Sequence, residues 1–170
     1  MRKTNFWTAY LLLLLAQLLL SNFFQLTPYV TLSILPVLIL CIPTRVGPVG
    51  TMGIAFVSAL AVDLLSEGVL GLNAFALVPV ALLRNPVIRL IFGDELFARK
   101  EDFSVQRSGF GKVAMAIFLL QLLFISLYVW ADGAATRPLW FDLARIGAST
   151  FAGFLVSLLV AGVLAPDTRR

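Results

Sequence analysis

The sequence has no histidine, one cysteine and little charge. Without histidine, Ser–His and Cys–His nucleophile pairs are impossible. A lone Cys41 cannot form an internal disulfide, and no metal-ligand spacing exists. Charged residues make up 13% of the chain, against about 25% in a typical soluble domain. That shortage, with 60% hydrophobic residues and a mean hydropathy of +0.97, excludes an ordinary water-soluble fold. No basic stripe interleaved with aromatics exists to hold a nucleic acid, so the net charge of +4 is read as membrane topology and contact with anionic lipid.

What is present is a series of apolar runs at 6–24, 27–43, 47–65, 69–92, 113–131 and 143–164. Each is near the roughly 17–25 residues that a helix needs to cross a bilayer. Six crossings with Met1 inside would place Arg2, Lys3, Arg45, Arg84, Arg89, Arg99, Lys100, Arg107, Lys112, Arg169 and Arg170 on the cytoplasmic side, leaving only Arg137 and Arg145 outside. Such a bias fixes orientation. The expected fold is an all-α integral membrane protein, a single domain over 1–170 with six transmembrane helices and both termini in the cytoplasm. The run Phe6–Leu20 exceeds the usual signal-peptide core of about 7–15 residues and no Ala-x-Ala site follows, so it is expected to remain as the first span. Trp7, Trp130 and Trp140 fall at predicted borders, where aromatics favour headgroup depth.

Pro36 lies in the middle of the second run, between Pro28 and Pro43, and predicts a kinked span. Gly47-Pro48-Val49-Gly50 predicts a tight entry into the third. The fourth is expected to reach the cytoplasmic boundary near Arg84 and to break at Asn85-Pro86. The longest polar segment, 93–112, carries balanced charge and is expected to be a cytoplasmic loop or docking surface.

Small residues recur every fourth position at Gly47, Thr51, Ala55 and Ala59, ending on Asp63, and again at Ser149, Gly153, Ser157 and Ala161. Residues four apart share a helix face, and small ones let two membrane helices approach closely. Asp63 is the one acidic residue expected inside a span. A carboxylate there must face protein or water and have a partner. Ser66, Asn73 and backbone donors in the turn before Gly68 are the candidates. No paired carboxylates, phosphate loop or set of intramembrane ionisable groups is present, so no catalytic residue, cofactor site or metal site is assigned.

The residues Arg45-x-Gly47, Gly50-x-x-Gly53, Asp63-Leu64-Leu65-Ser66-x-Gly68 and Leu70-Gly71-Leu72-Asn73-Ala74 resemble the rod shape-determining protein MreD family. Only 45–77 carries a specific motif; elsewhere the likeness is one of length and span pattern. The resemblance implies a non-enzymatic component of the bacterial inner membrane that serves cell elongation and lateral peptidoglycan synthesis. Its partners would be an MreC-like protein with one span and a periplasmic body and, indirectly, MreB-like filaments and a peptidoglycan polymerase–transpeptidase pair. The family is distantly similar to the six-helix substrate-binding subunits of energy-coupling-factor vitamin transporters, which supply the alternative reading. Such subunits commonly carry alanines four apart in their first span; here Ala9 and Ala16 are each followed at that spacing by leucine.

Overall fold

The computed structural model describes residues 6–23, 30–67, 69–93, 109–133 and 137–164. Residues 94–108 of the expected polar stretch 93–112 lie outside the described residues, as do Gly68 and both chain ends; its last residues, 110–112, belong to a helix. Those described are helical: α1 Phe6–Phe23, α2 Leu35–Leu40, α3 Pro48–Val62, α4 Leu72–Phe92, α5 Phe110–Gly133 and α6 Leu139–Leu164. A π-helical turn, Asp63–Glu67, continues α3. Among the described residues, four helices are long and apolar enough to cross a membrane: α3 with its π turn, α4, α5 and α6. The chain is therefore an all-helical, multi-pass membrane protein. Helix α1 is apolar but at the short end of the spanning range.

Local signals account for the helix ends. Pro48 occupies the first turn of α3, where its missing donor costs nothing, and Gly47 caps it with extended backbone. Helix α4 starts at Gly71, whose φ of +94° suits a residue without Cβ. Contrary to expectation, α4 does not break at Asn85-Pro86; it continues through Pro79 and Pro86 to Phe92. Each proline removes one backbone bond. The apolar face carrying Val87, Ile88 and Ile91 stays packed on the core beyond Pro86, so the helix has a reason to go on.

Contacts between helices fix their directions. Phe75 of α4 stacks on Trp130 of α5 at 6.1 Å, and Phe118 of α5 meets Phe154 of α6 edge-on at 5.8 Å. Helices α4, α5 and α6 are therefore successively antiparallel. Helix α1 runs parallel to α3: Tyr10 Oη lies 2.8 Å from Ser58 Oγ, and Asn22 Nδ2 reaches Leu65 O and Ser66 Oγ at 3.5 Å.

Parallel α1 and α3 carry a topological consequence. The chain leaves α1 at the Ser66 end and must return to the opposite end before Pro48. The expected continuous kinked helix over 27–43 does not make this return. Residues 30–34 are non-helical and α2 has only six residues. Pro36 bears on this: without a backbone N–H it cannot donate to Leu32 O, and it sits instead in the first turn of α2, where no donor is needed. Five non-helical residues at up to about 3.3 Å and six helical ones at about 1.5 Å reach at most roughly 25 Å, close to the length of α3 with its turn. The returning segment is the centre of the molecule. Residues 33–42 are buried, with Leu38, Ile39, Leu40 and Ile42 at 0% exposure.

The outer faces of the surrounding helices are apolar, with Leu11, Leu15, Leu19, Phe56, Leu82, Phe118, Phe151 and Leu159 exposed. A lipid environment explains such faces. On α3 the opposite face, Thr51, Ala55, Ala59 and Asp63, is buried, and α3 packs on α4. Ala59→Leu is therefore expected to lower stability by about 1–3 kcal/mol through overpacking. Gly53→Leu, at a site with open space around its Cβ position, should be tolerated. Thermal midpoints in detergent, followed by size-exclusion chromatography, check the contrast.

Candidate functional site

Two groups of polar side chains organise the buried interior. The first surrounds residues 31–42, whose broken helix leaves backbone donors and acceptors without helical partners. In a membrane-embedded protein, irregular backbone survives only where protein or a water-lined cavity satisfies it. Four helices supply the partners. From α1, Gln17 Oε1 accepts from Ile34 N at 2.7 Å, while Gln17 Nε2 donates to Leu32 O at 3.4 Å and Ser21 Oγ at 2.9 Å. Leu32 O is the carbonyl that Pro36 leaves open, and one amide thus closes both sides of the break. From α5, Gln121 Nε2 donates to Ser33 O at 3.0 Å. From α6, Ser149 Oγ accepts from Thr31 N at 2.9 Å and Arg145 Nη2 donates to Thr31 Oγ1 at 3.0 Å.

Helix α4 closes the far end of the segment. Arg84 Nε donates to Leu40 O at 3.2 Å, and its Nη2 donates to Ile42 O. These carbonyls end α2, where the last turn of a helix presents open acceptors and partial negative charge. Expected at an exposed boundary, Arg84 is instead 1% exposed, because the end of α2 offers acceptors fitting its fork. Arg84 stands 12 residues into α4, about 18 Å from the helix start.

The second group locks the hairpin between α3 and α4. Asp63 is fully buried. Its Oδ2 accepts from Gly71 N at 2.9 Å and Ala74 N at 3.4 Å; its Oδ1 accepts from Asn73 N at 3.0 Å and Asn73 Nδ2 at 2.9 Å. A carboxylate from the end of one helix thus satisfies the open N–H groups beginning the next, and its charge complements the positive end of the α4 dipole. Asn73 is a partner, as expected. Ser66 is not among these donors; its hydroxyl lies beside Asn22 of α1.

The candidate residues therefore divide. Asp63, Gly71 and Asn73 form the hairpin lock. Thr51, Ala55 and Ala59 form the buried face leading to it, and Thr51 Oγ1 donates back to Gly47 O at 3.1 Å. Gly47 is exposed and acts as a helix cap. Ser149, Gly153, Ser157 and Ala161 are all buried on α6, which packs on α5 and α2. Gly153 has a specific reason to lack a side chain. A Cβ there would overlap Gln121 Nε2 and lie 3.5 Å from Ser33 O, so glycine makes room for the clasp. Sequence reading missed Gln17, Gln121, Arg84 and Arg145. The available signal was an amide in mid-run at Gln17 and again at Gln121, each costly in hydrocarbon unless bonded.

At the Asp63 end, Asp132 pairs with Arg137 at 2.9 Å and with Arg145. Arg145 also lies over the Tyr128 ring, 5.9 Å from its centroid. The Asp132 carboxylate thus holds two guanidinium groups, and Arg145, which also donates to Thr31 Oγ1, ties α6 to the clasped segment.

No family model matches this chain, and no curated protein or solved structure matches it.

Gly153→Ala is expected to cost about 1–3 kcal/mol by displacing the Gln121 amide and leaving Ser33 O unsatisfied. In a Gln121→Ala background the same change should cost clearly less, since the clash is gone. Asp63→Ala should cost about 1–3 kcal/mol by baring the amides of α4. Thermal unfolding of the single and double variants in one detergent provides the comparison.

Proposed function

We propose that this protein is a non-enzymatic integral membrane scaffold of the bacterial cell-elongation machinery, acting in lateral wall synthesis and rod shape as the MreD family does. The observation that carries the proposal is the motif over 45–77. Its Asp63, Gly71 and Asn73 act together, as carboxylate, left-handed turn residue and amide partner, in one physical device. A resemblance whose residues cooperate in space is more informative than scattered identities in apolar sequence. In the interior, Gln17, Asp63, Asn73 and Arg84 are committed to backbone or to each other, which suits a rigid docking body better than a reaction centre.

In this reading six segments cross the bacterial inner membrane, the second as the broken crossing built around α2. The Pro48 end faces the cytoplasm, with exposed Arg45, Arg89 and Lys112 near it, and the Asp63 end faces the periplasm. Both termini are then cytoplasmic, in accord with the positive-inside bias. An MreC-like protein with a single span and a periplasmic body is the direct partner. MreB-like filaments and a polymerase–transpeptidase pair connect indirectly.

Purification in mild detergent from a rod-shaped host should recover a single-span periplasmic partner as the main stoichiometric companion. Depletion should turn the rods round. Normal rod shape after clean deletion, with no such partner recovered, would contradict the proposal.

A further inference from the structure

The seam between α4 and α5 is marked at the Asp63 end by Phe75 and Trp130, which stack at 6.1 Å although both are exposed. Their shared face can be followed along both helices. Lys112 precedes Trp130 by 18 positions on α5, about five full turns. Arg89 follows Phe75 by 14 positions on α4, about four turns. Both cations therefore return to the side of the bundle that the aromatic stack occupies. Exposure agrees with this register. On α4, Leu82, Pro86 and Arg89 are exposed, while Arg84 on the opposite face is buried. On α5, Lys112 and Met115 are exposed, while Ile117, Leu120 and Gln121 are buried.

Because α4 and α5 are antiparallel, the two cations lie at the same end. Arg89 stands about 21 Å from the stack and Lys112 about 27 Å, so their depths differ by about one turn. Arg89 is in the last turn of α4 and Lys112 in the first turn of α5, which is headgroup depth for helices of this length. Leu90 and Phe110, 81% and 67% exposed, stand close to them in sequence. Among the described residues the acidic ones, Asp63, Glu67, Asp132 and Asp142, belong to the opposite end of the bundle. The seam is thus positive at headgroup depth and apolar from there toward the bilayer centre.

We infer that this seam binds an anionic phospholipid of the leaflet at the Pro48 end, with its phosphate between Arg89 and Lys112 and its acyl chains over Leu82, Pro86 and Met115. Both cations carry their charge on long apolar stems, which lets the charge reach a headgroup while the stem stays in hydrocarbon. An acidic protein segment would match the charges but not the exposed apolar side chains that continue from them. A zwitterionic lipid brings the same phosphate together with its own ammonium, so the site favours a headgroup of net negative charge.

Native mass spectrometry of the full chain in mild detergent, titrated with phosphatidylglycerol or with phosphatidylcholine of the same acyl chains, tests the site. Each Lys or Arg near an anionic surface strengthens binding about fivefold. Phosphatidylglycerol should accordingly bind at least about fivefold more tightly than phosphatidylcholine, and Arg89→Gln and Lys112→Gln should each weaken it by about that factor. Arg45→Gln removes the same charge at the same end, but from the turn before α3, and should leave the affinity nearly unchanged. Glycerol 3-phosphate, a headgroup without acyl chains, should not displace the lipid. Four results would overturn the inference: equal binding of the two lipids, full affinity in the Arg89 and Lys112 variants, an equal loss in Arg45→Gln, or displacement by glycerol 3-phosphate. All three substituted positions are exposed, so the variants keep the buried core and the comparison stays readable.

Discussion

The structure depends on the satisfaction of one stretch of backbone. Residues 31–42 run through the centre of an apolar molecule without a continuous helix, and the peptide groups they expose cannot turn to water. Each such group left bare would cost about 1–3 kcal/mol or more, so a break of this kind would be untenable if undressed. Gln17, Arg84, Gln121 and Ser149 dress it from four different helices. Membrane helices gain little from apolar burial against each other, because lipid tails are equally apolar. Directed polar contacts to a shared central segment therefore decide how α1, α4, α5 and α6 are arranged.

Helix α4 connects the two polar groups. Its first turn is capped by Asp63, and Arg84, about 18 Å further on, holds the end of α2. The hairpin lock and the clasp consequently share one rigid element. A change at the α3–α4 turn would be felt at the entry to α3 through α4 and the 41–47 turn.

Much of this was legible in the sequence, unevenly. The four longest helices follow from apolar runs and turn residues, because a span's length is set by the bilayer and leaves a plain mark. The small-residue faces were legible as well: Thr51, Ala55 and Ala59 on α3 and Ser149, Gly153 and Ser157 on α6 are buried at their four-residue spacing. Pro36 announced a disturbance in the second run, but not that the helix would shrink to Leu35–Leu40. That outcome depends on side chains far away in sequence: Gln17, Gln121 and Arg84 are separated from their partners by 17, 88 and 44 positions. Arg84 misled the reading because an arginine in an apolar run usually marks a boundary, whereas here it answers two carbonyls ending a short helix. Pro86 misled it because a helix-breaking residue in solution is tolerated where packing continues. Asp63 was readable as a bonded carboxylate, with Asn73 as one donor, but the choice of α4 amides over Ser66 depended on the turn's geometry.

The central claim is that residues 30–47 carry the chain from one face of the membrane to the other, making α1 and α3 parallel. Single cysteines introduced as Asn22→Cys, Ser66→Cys and Arg45→Cys in a Cys41→Ser background, probed with a membrane-impermeant thiol reagent on intact and on opened cells, test it most directly. The account requires positions 22 and 66 to react from the outside and position 45 to react only once the inside is exposed. If positions 22 and 45 reacted from the same side, the broken segment would not cross, and the arrangement built around it would be wrong.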